Sequence, residues 1–196
     1  MSLKRKLSRS LSSLNTIFKK ARMSFYDSNI DFLTLTVEEL TKLLSAGFDP
    51  NEKDKLGRTP LMYLASGNID PEVIKAIIRA GARVDDVDQD NKTALIMAAR
   101  YNSNPEILEN LIDAGADVNH TSKKKRTPLI YAALSNCNPE VIQTLLARGA
   151  DGSRKDIRRL TAFDHLKKGY NRTLRQSVAF ILLKEASNKQ ISHKGY

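Results

Sequence analysis

Between residues 37 and 186 the apolar side chains recur at the three- and four-residue spacing of a helix, in short clusters that come in pairs. Leu61, Leu64 and Ala65 precede Val73, Ile74, Ile77 and Ile78, and Leu129, Ala132 and Ala133 precede Val141, Ile142, Leu145 and Leu146. Between these pairs, Leu95, Ala98 and Ala99 open a further pair that continues from Ile107. The ends of the clusters are marked as helix ends. Thr59, Thr93 and Thr127 stand where a hydroxyl accepts from the first free N–H groups of a helix, and Pro60 and Pro128 occupy the first helical position. The second cluster of each pair opens on Asp70-Pro71-Glu72, Asn104-Pro105-Glu106 or Asn138-Pro139-Glu140, which joins a cap and a proline to a carboxylate at the positive end of the helix dipole. Gly81, Gly115 and Gly149 follow the last turn, where a residue with positive φ ends the helix. The pattern predicts helix, turn, helix and then an extended connection.

The unit repeats. Thr59, Thr93, Thr127 and Thr161 are spaced by 34 residues, and the prolines 71, 105 and 139 and the glycines 81, 115 and 149 keep that step. With its Thr-Pro-Leu helix starts at 59–61 and 127–129 and its Gly115-Ala116-Asp117-Val118-Asn119 connection, the unit resembles the ankyrin repeat over residues 37–168. The resemblance implies an all-α ankyrin-repeat solenoid, in which helix-turn-helix pairs stack and β-hairpin loops project. The period exceeds the usual 33 by one residue, expected in the turn between the helices. The histidine that often follows Thr-Pro-Leu in that family is replaced by Met62, Ile96 and Ile130.

The expected organisation is a basic, Ser-rich segment over 1–24, a partial capping repeat over 25–56, and repeats over 57–90, 91–124 and 125–158. A C-terminal capping repeat over 159–186 and a tail over 187–196 complete it. The first cap places a helix between Phe25 and Leu33 and a second on Leu40, Leu43, Leu44 and Ala46. The last cap presents Leu174, Val178, Ile181 and Leu182 as its apolar face, and Gly152 stands where earlier units have Val84 and Val118.

Charge changes the picture at one end only. The net charge is +10, but Lys4, Arg5, Lys6, Arg9, Lys19, Lys20 and Arg22 lie in residues 1–24 with no acid, leaving the rest of the chain near neutral. Leu3, Leu7, Leu11, Leu14 and Ile17 share one side of a helix there, a signature common to anionic-membrane binding, a nuclear address in Lys4-Arg5-Lys6, a transit peptide and a plain solvating tail. Met23-Ser24 reads as an alternative start. The longest apolar runs, such as 178–183, are far below the roughly 20 residues of a bilayer span, and the N-terminus lacks the apolar core of a secretory signal. A monomer in the cytoplasm is expected, with the nucleus or a host cell as alternative sites.

Catalytic chemistry finds no constellation in the sequence. His120, His165 and His193 fall in separate units, Cys137 is the single cysteine and sits at a turn, and no Gly-rich phosphate loop is present. Asp85, Asp86, Asp88 and Asp90 lack the central glycine and closing glutamate of a calcium loop. No enzyme, metal or cofactor is expected. The expectation is a scaffold that binds another protein through tips and first helices, with the basic segment 1–24 as the alternative route, to nucleic acid or membrane, as in a secreted bacterial or viral effector. A third reading makes the protein a substrate and takes Leu111 and Asp117-Val118-Asn119 as similar to the asparagine site hydroxylated in some ankyrin repeats. The connections differ in sign: residues 85–92 are acidic, 120–126 carry four cations, and 151–159 are again basic. The candidate partner-binding residues are therefore Asp86, Asp88, Asp90, Lys123, Lys124, Lys125 and Arg126, on a rim whose sign changes between the second and third connections.

Overall fold

The computed structural model describes residues 35–67, 70–168, 174 and 176–188. The expected basic segment, the first helix of the N-terminal cap and the C-terminal tail lie outside the described residues. Helix α1 spans Val37–Ser45, and three pairs follow: α2 (Pro60–Ser66) with α3 (Pro71–Arg79), α4 (Ala94–Tyr101) with α5 (Pro105–Asp113), and α6 (Pro128–Ser135) with α7 (Pro139–Ala147). The stack closes with α8 (Ala162–Lys167) and α9 (Val178–Asn188).

The helices form two rows. First helices pack in the order α2, α4, α6, α8, and second helices in the order α1, α3, α5, α7, α9. Alanines 65, 98, 99, 132 and 133 are fully buried in the first row, where a small side chain lets neighbouring backbones approach. Val73, Ile74, Ile77, Ile107, Leu108, Leu111, Val141, Ile142 and Leu145 close the core from the second row. Met62, Ile96 and Ile130 are buried as well, so the positions that often hold histidine in related repeats are apolar here.

Helix ends follow the sequence with one exception. Thr93 and Thr127 accept from the N–H of Ile96 and Ile130, and Thr161 forms a reciprocal capping box with Asp164. Thr59 does not cap: the N–H of Met62 is taken at 3.1 Å by the Thr59 carbonyl, and the hydroxyl is buried without a partner. Gly115 has φ +97°, and its N–H and that of Ala116 bond to the carbonyls of Ile112 and Leu111, the paired bonds of a left-handed helix stop.

Polar side chains tie one repeat to the next. Asn102 is buried and donates from Nδ2 to the carbonyls of Ala65 (3.1 Å) and Gly67, while its Oδ1 accepts from the N–H of Asn104 at 2.8 Å. Asn136 does the same one repeat later with Ala99 (3.0 Å), Asn102 (2.7 Å) and the N–H of Asn138 (2.9 Å). The turn between the helices thus satisfies the free carbonyls at the end of the preceding first helix.

The C-terminal cap departs from expectation. Leu174, Ala179 and Leu183 are buried, whereas Ile181 is 57% exposed and is not part of the packed face. The close seat of α9 depends on Gly152. A Cβ there would stand 2.5 Å from the Ala186 Cβ and 2.9 Å from the Ala186 carbonyl carbon, so α9 is seated directly on the loop through its small side chains. A valine such as those at 84 and 118 has no room in this place.

Candidate protein-binding rim

Each connection ends in a five-residue tip, at 54–58, 88–92, 122–126 and 156–160. In each, the first N–H bonds the last carbonyl, at 3.0, 3.0, 3.1 and 3.0 Å. The fourth residue is left-handed: Gly57 (φ +74°), Asn91 (+59°), Lys125 (+53°) and Arg159 (+60°). The first side chain closes the turn from inside. Asp88 Oδ1 accepts from the N–H of Asp90 (2.8 Å) and Lys92 (2.9 Å), and Asp54 and Asp156 make the equivalent pairs with Leu56 and Arg58 and with Arg158 and Leu160. Ser122 takes this place in the third tip and accepts from the N–H of Arg126 at 3.4 Å.

Tips stand side by side, joined by one backbone bond each: Gln89 N–H to Leu56 O (2.9 Å), Lys123 N–H to Asp90 O (2.8 Å) and Ile157 N–H to Lys124 O (3.1 Å). No β-strand forms among the described residues, because one rung between neighbours is too little for a ladder; the expected β-hairpins are turns. Three of the four tips also rest on their own first helix through a polar side chain; at the second, Met97 stands in that place. The Tyr63 hydroxyl donates to Asp54 Oδ2 (2.7 Å), the Tyr131 hydroxyl donates to Ser122 Oγ (3.2 Å), and His165 Nε2 lies 2.9 Å from Asp156 Oδ2.

The seven candidate residues separate into two groups. Asp86 is paired with Arg83 (3.1 Å) and Lys53 (3.4 Å), Asp88 is buried within its turn, and Asp90 is paired with Lys92 at 2.5 Å. The Lys92 ammonium, with smaller help from Lys123 and Lys124, holds the Asp90 carboxyl below its ordinary value. Arg126 belongs with these engaged residues: its Nε contacts Asp156 Oδ2 at 3.3 Å, with 17% of its side chain exposed. Lys123, Lys124 and Lys125 are exposed and form no ion pair among the described residues.

Between the second and third tips lies a hollow of about 140 Å³. Tyr131 and Ser122 line it together with Asp90, and Lys92, Lys123, Lys124, Arg126 and Arg100 bring five cations to its wall. Arg100 is a residue that the charge sorting of the connections does not reach, since it lies on α4. A signal for it does exist in the sequence: it is the one charged residue in α2, α4 and α6. Its guanidinium lies 4.8 Å from the Tyr101 ring centroid and 5.7 Å from that of Tyr131, and its buried Nε has no hydrogen-bond partner.

Other polar groups have structural partners. Burial lowers the pKa of His165, against the opposing pull of Asp156. Burial would raise the Asp156 carboxyl, but the N–H groups of Leu160 and Arg158, with His165 and Arg126, outweigh it and hold the carboxyl below its ordinary value. His120 Nε2 lies 3.1 Å from Asn91 O and steadies the second tip. Asn119 donates to Gly149 O (3.1 Å) and accepts from the Asp151 N–H (2.8 Å), so its amide links two repeats. Cys137 is exposed, and no cluster of three or more metal-ligating side chains exists among the described residues. No described helix is long and apolar enough to cross a membrane.

The family model described as ankyrin repeats, in three copies, matches residues 36–122 and 64–156. No curated protein matches the chain. The chain belongs to the ankyrin-repeat family, whose repeats are general protein-protein interaction modules and whose members are typically binding scaffolds rather than catalysts.

Proposed function

We propose that this ankyrin-repeat protein is a scaffold that binds an acidic face of another protein through the rim formed by its third tip and the flanking tips. The observation that carries this reading is the set Lys123, Lys124 and Lys125, three adjacent exposed cations without ion-pair partners among the described residues, beside a tip whose acids are engaged. Lys125 adds a second support. It holds a left-handed conformation at φ +53°, which costs a non-glycine residue about 1 kcal/mol. The first tip uses glycine at that place, so a lysine there keeps charge against local stability.

Such a rim steers a partner of opposite charge before the contact is made. The test is to identify partners of the full chain by proximity labelling and to measure association rates for a verified one. Lys123→Glu with Lys125→Glu is expected to lower the association rate by about tenfold at low salt while leaving the fold intact, and the difference should shrink as salt is raised. Unchanged rates in the double variant would remove this rim from the binding surface.

A further inference from the structure

We propose that the hollow between the second and third tips is an oxyanion subsite that receives a phosphate group carried by the bound protein, with Arg100 as its principal ligand. The subsite rests on the reading of the rim as the docking surface, and it adds the chemistry that the surface selects.

The wall is strongly uneven in charge. Lys92, Arg100, Lys123, Lys124 and Arg126 face Asp90 alone, and Asp156 compensates Arg126 from behind, leaving a surplus of three positive charges. A carboxylate would leave two of them unmet, whereas a phosphate monoester, with a charge of about −1.5 to −2 near neutral pH, meets most of the surplus. The donors are placed for such a group. The Arg100 guanidinium lines the hollow, is flanked by the Tyr101 and Tyr131 rings and has no ion pair among the described residues; its Nε is buried without an acceptor, so the anion would be held by the terminal N–H groups of the planar fork. Ser122 Oγ accepts from the Tyr131 hydroxyl, which leaves the serine's own O–H to donate. Lys123 and Lys124 line the hollow, are exposed and have no ion pair of their own among the described residues.

A nucleic-acid backbone is the less suited occupant. It needs a continuous cationic track, and on the side of the second tip the wall of the hollow is interrupted by Asp90.

The experiment titrates the isotope-labelled full chain with inorganic phosphate, acetate or a short single-stranded DNA at matched ionic strength, following the Arg100 Nε–H and the Ser122 and Lys123 amides by NMR. Phosphate is expected to give a saturable response at these groups, at least about tenfold tighter than acetate. Arg100→Gln should abolish it, and Lys155→Gln on the neighbouring connection should leave it intact. Equal responses to acetate, retention in Arg100→Gln, or an equal loss in Lys155→Gln would each overturn the subsite. Tighter binding of DNA than of phosphate, with shifts spreading to the fourth tip, would overturn it in favour of a phosphodiester track. Should Arg100→Gln fail to fold, Lys124→Gln makes the same comparison, with loss of the response expected and its retention overturning the proposal. The two readings fail separately. A verified partner whose binding depends on Lys123 and Lys125 but survives phosphatase treatment and Arg100→Gln would sink the subsite and spare the scaffold. Saturable phosphate binding, with partner association rates unchanged in Lys123→Glu with Lys125→Glu, would do the reverse.

Discussion

The second and third connections occupy equivalent places in the stack and carry opposite charge, yet every acid of the acidic one is hydrogen-bonded or ion-paired. Asp85 accepts from the N–H of Asp117, Asp86 from Arg83 and Lys53, Asp88 from its own turn and Asp90 from Lys92. In the third tip the buried aspartate gives way to Ser122, and the positions of Asp90 and Asn91 become Lys124 and Lys125. The serine closes the turn without bringing a negative charge, so nothing inside the tip neutralises its lysines. Two stretches with comparable numbers of charged residues therefore differ in what they are for: one set holds loops together, and the other remains available.

The largest effect expected from this contrast lies in the turn. Asp88→Ala removes an acceptor from two N–H groups in a buried setting and should destabilise the protein by about 2–3 kcal/mol, whereas Lys123→Ala should stay within about 0.5 kcal/mol. Chemical denaturation of the two variants measures this. Equal midpoints would mean that the acidic tip is as free as the basic one.

A smaller effect, of opposite sign, is expected at the left-handed position. Lys125→Gly should leave the denaturation midpoint unchanged or raise stability by up to about 1 kcal/mol, since glycine adopts this backbone without strain. The same variant should slow association with a verified partner. A glycine variant that destabilises the fold and binds as before would reverse the roles assigned to this residue.

The smallest effect belongs to the link between the third and fourth tips, because burial and Asp156 act on His165 in opposite directions. Burial prevails, so the folded protein holds the imidazole proton less tightly than the unfolded chain, whose pKa is about 6.5. That contribution is complete above the unfolded value and is lost as pH falls through it towards the folded one; the lowered Asp156 carboxyl adds a further loss at more acid pH. Stability should therefore fall between about pH 7.5 and 5.5, and His165→Asn should flatten that slope. An unaltered slope in the variant would show that the imidazole is not its source.

Much of the fold is legible in the chain because its signals are local. A proline at the first helical position, a capping asparagine and a glycine past the last turn act within a few residues of where they stand, and the 34-residue period places them in register. Thr59 departs from its local signal, since its carbonyl takes the N–H that its hydroxyl was suited to accept. The packed face of α9 is not set locally either, because the helix lies against Gly152 through Ala186, one period away along the chain.

The site divides the same way. The sequence by itself determined the repeat, the position of the tips and the sign of their charge, all of which depend on neighbours along the chain. Only the tertiary structure decided which charges are consumed. Arg126 is claimed by Asp156 of the next tip, Asp88 turns inward, and Arg100 comes from a helix to stand beside Lys123 and Lys124. Stacking brings together groups about one period apart, and Coulomb attraction falls with distance in space, not with distance along the chain.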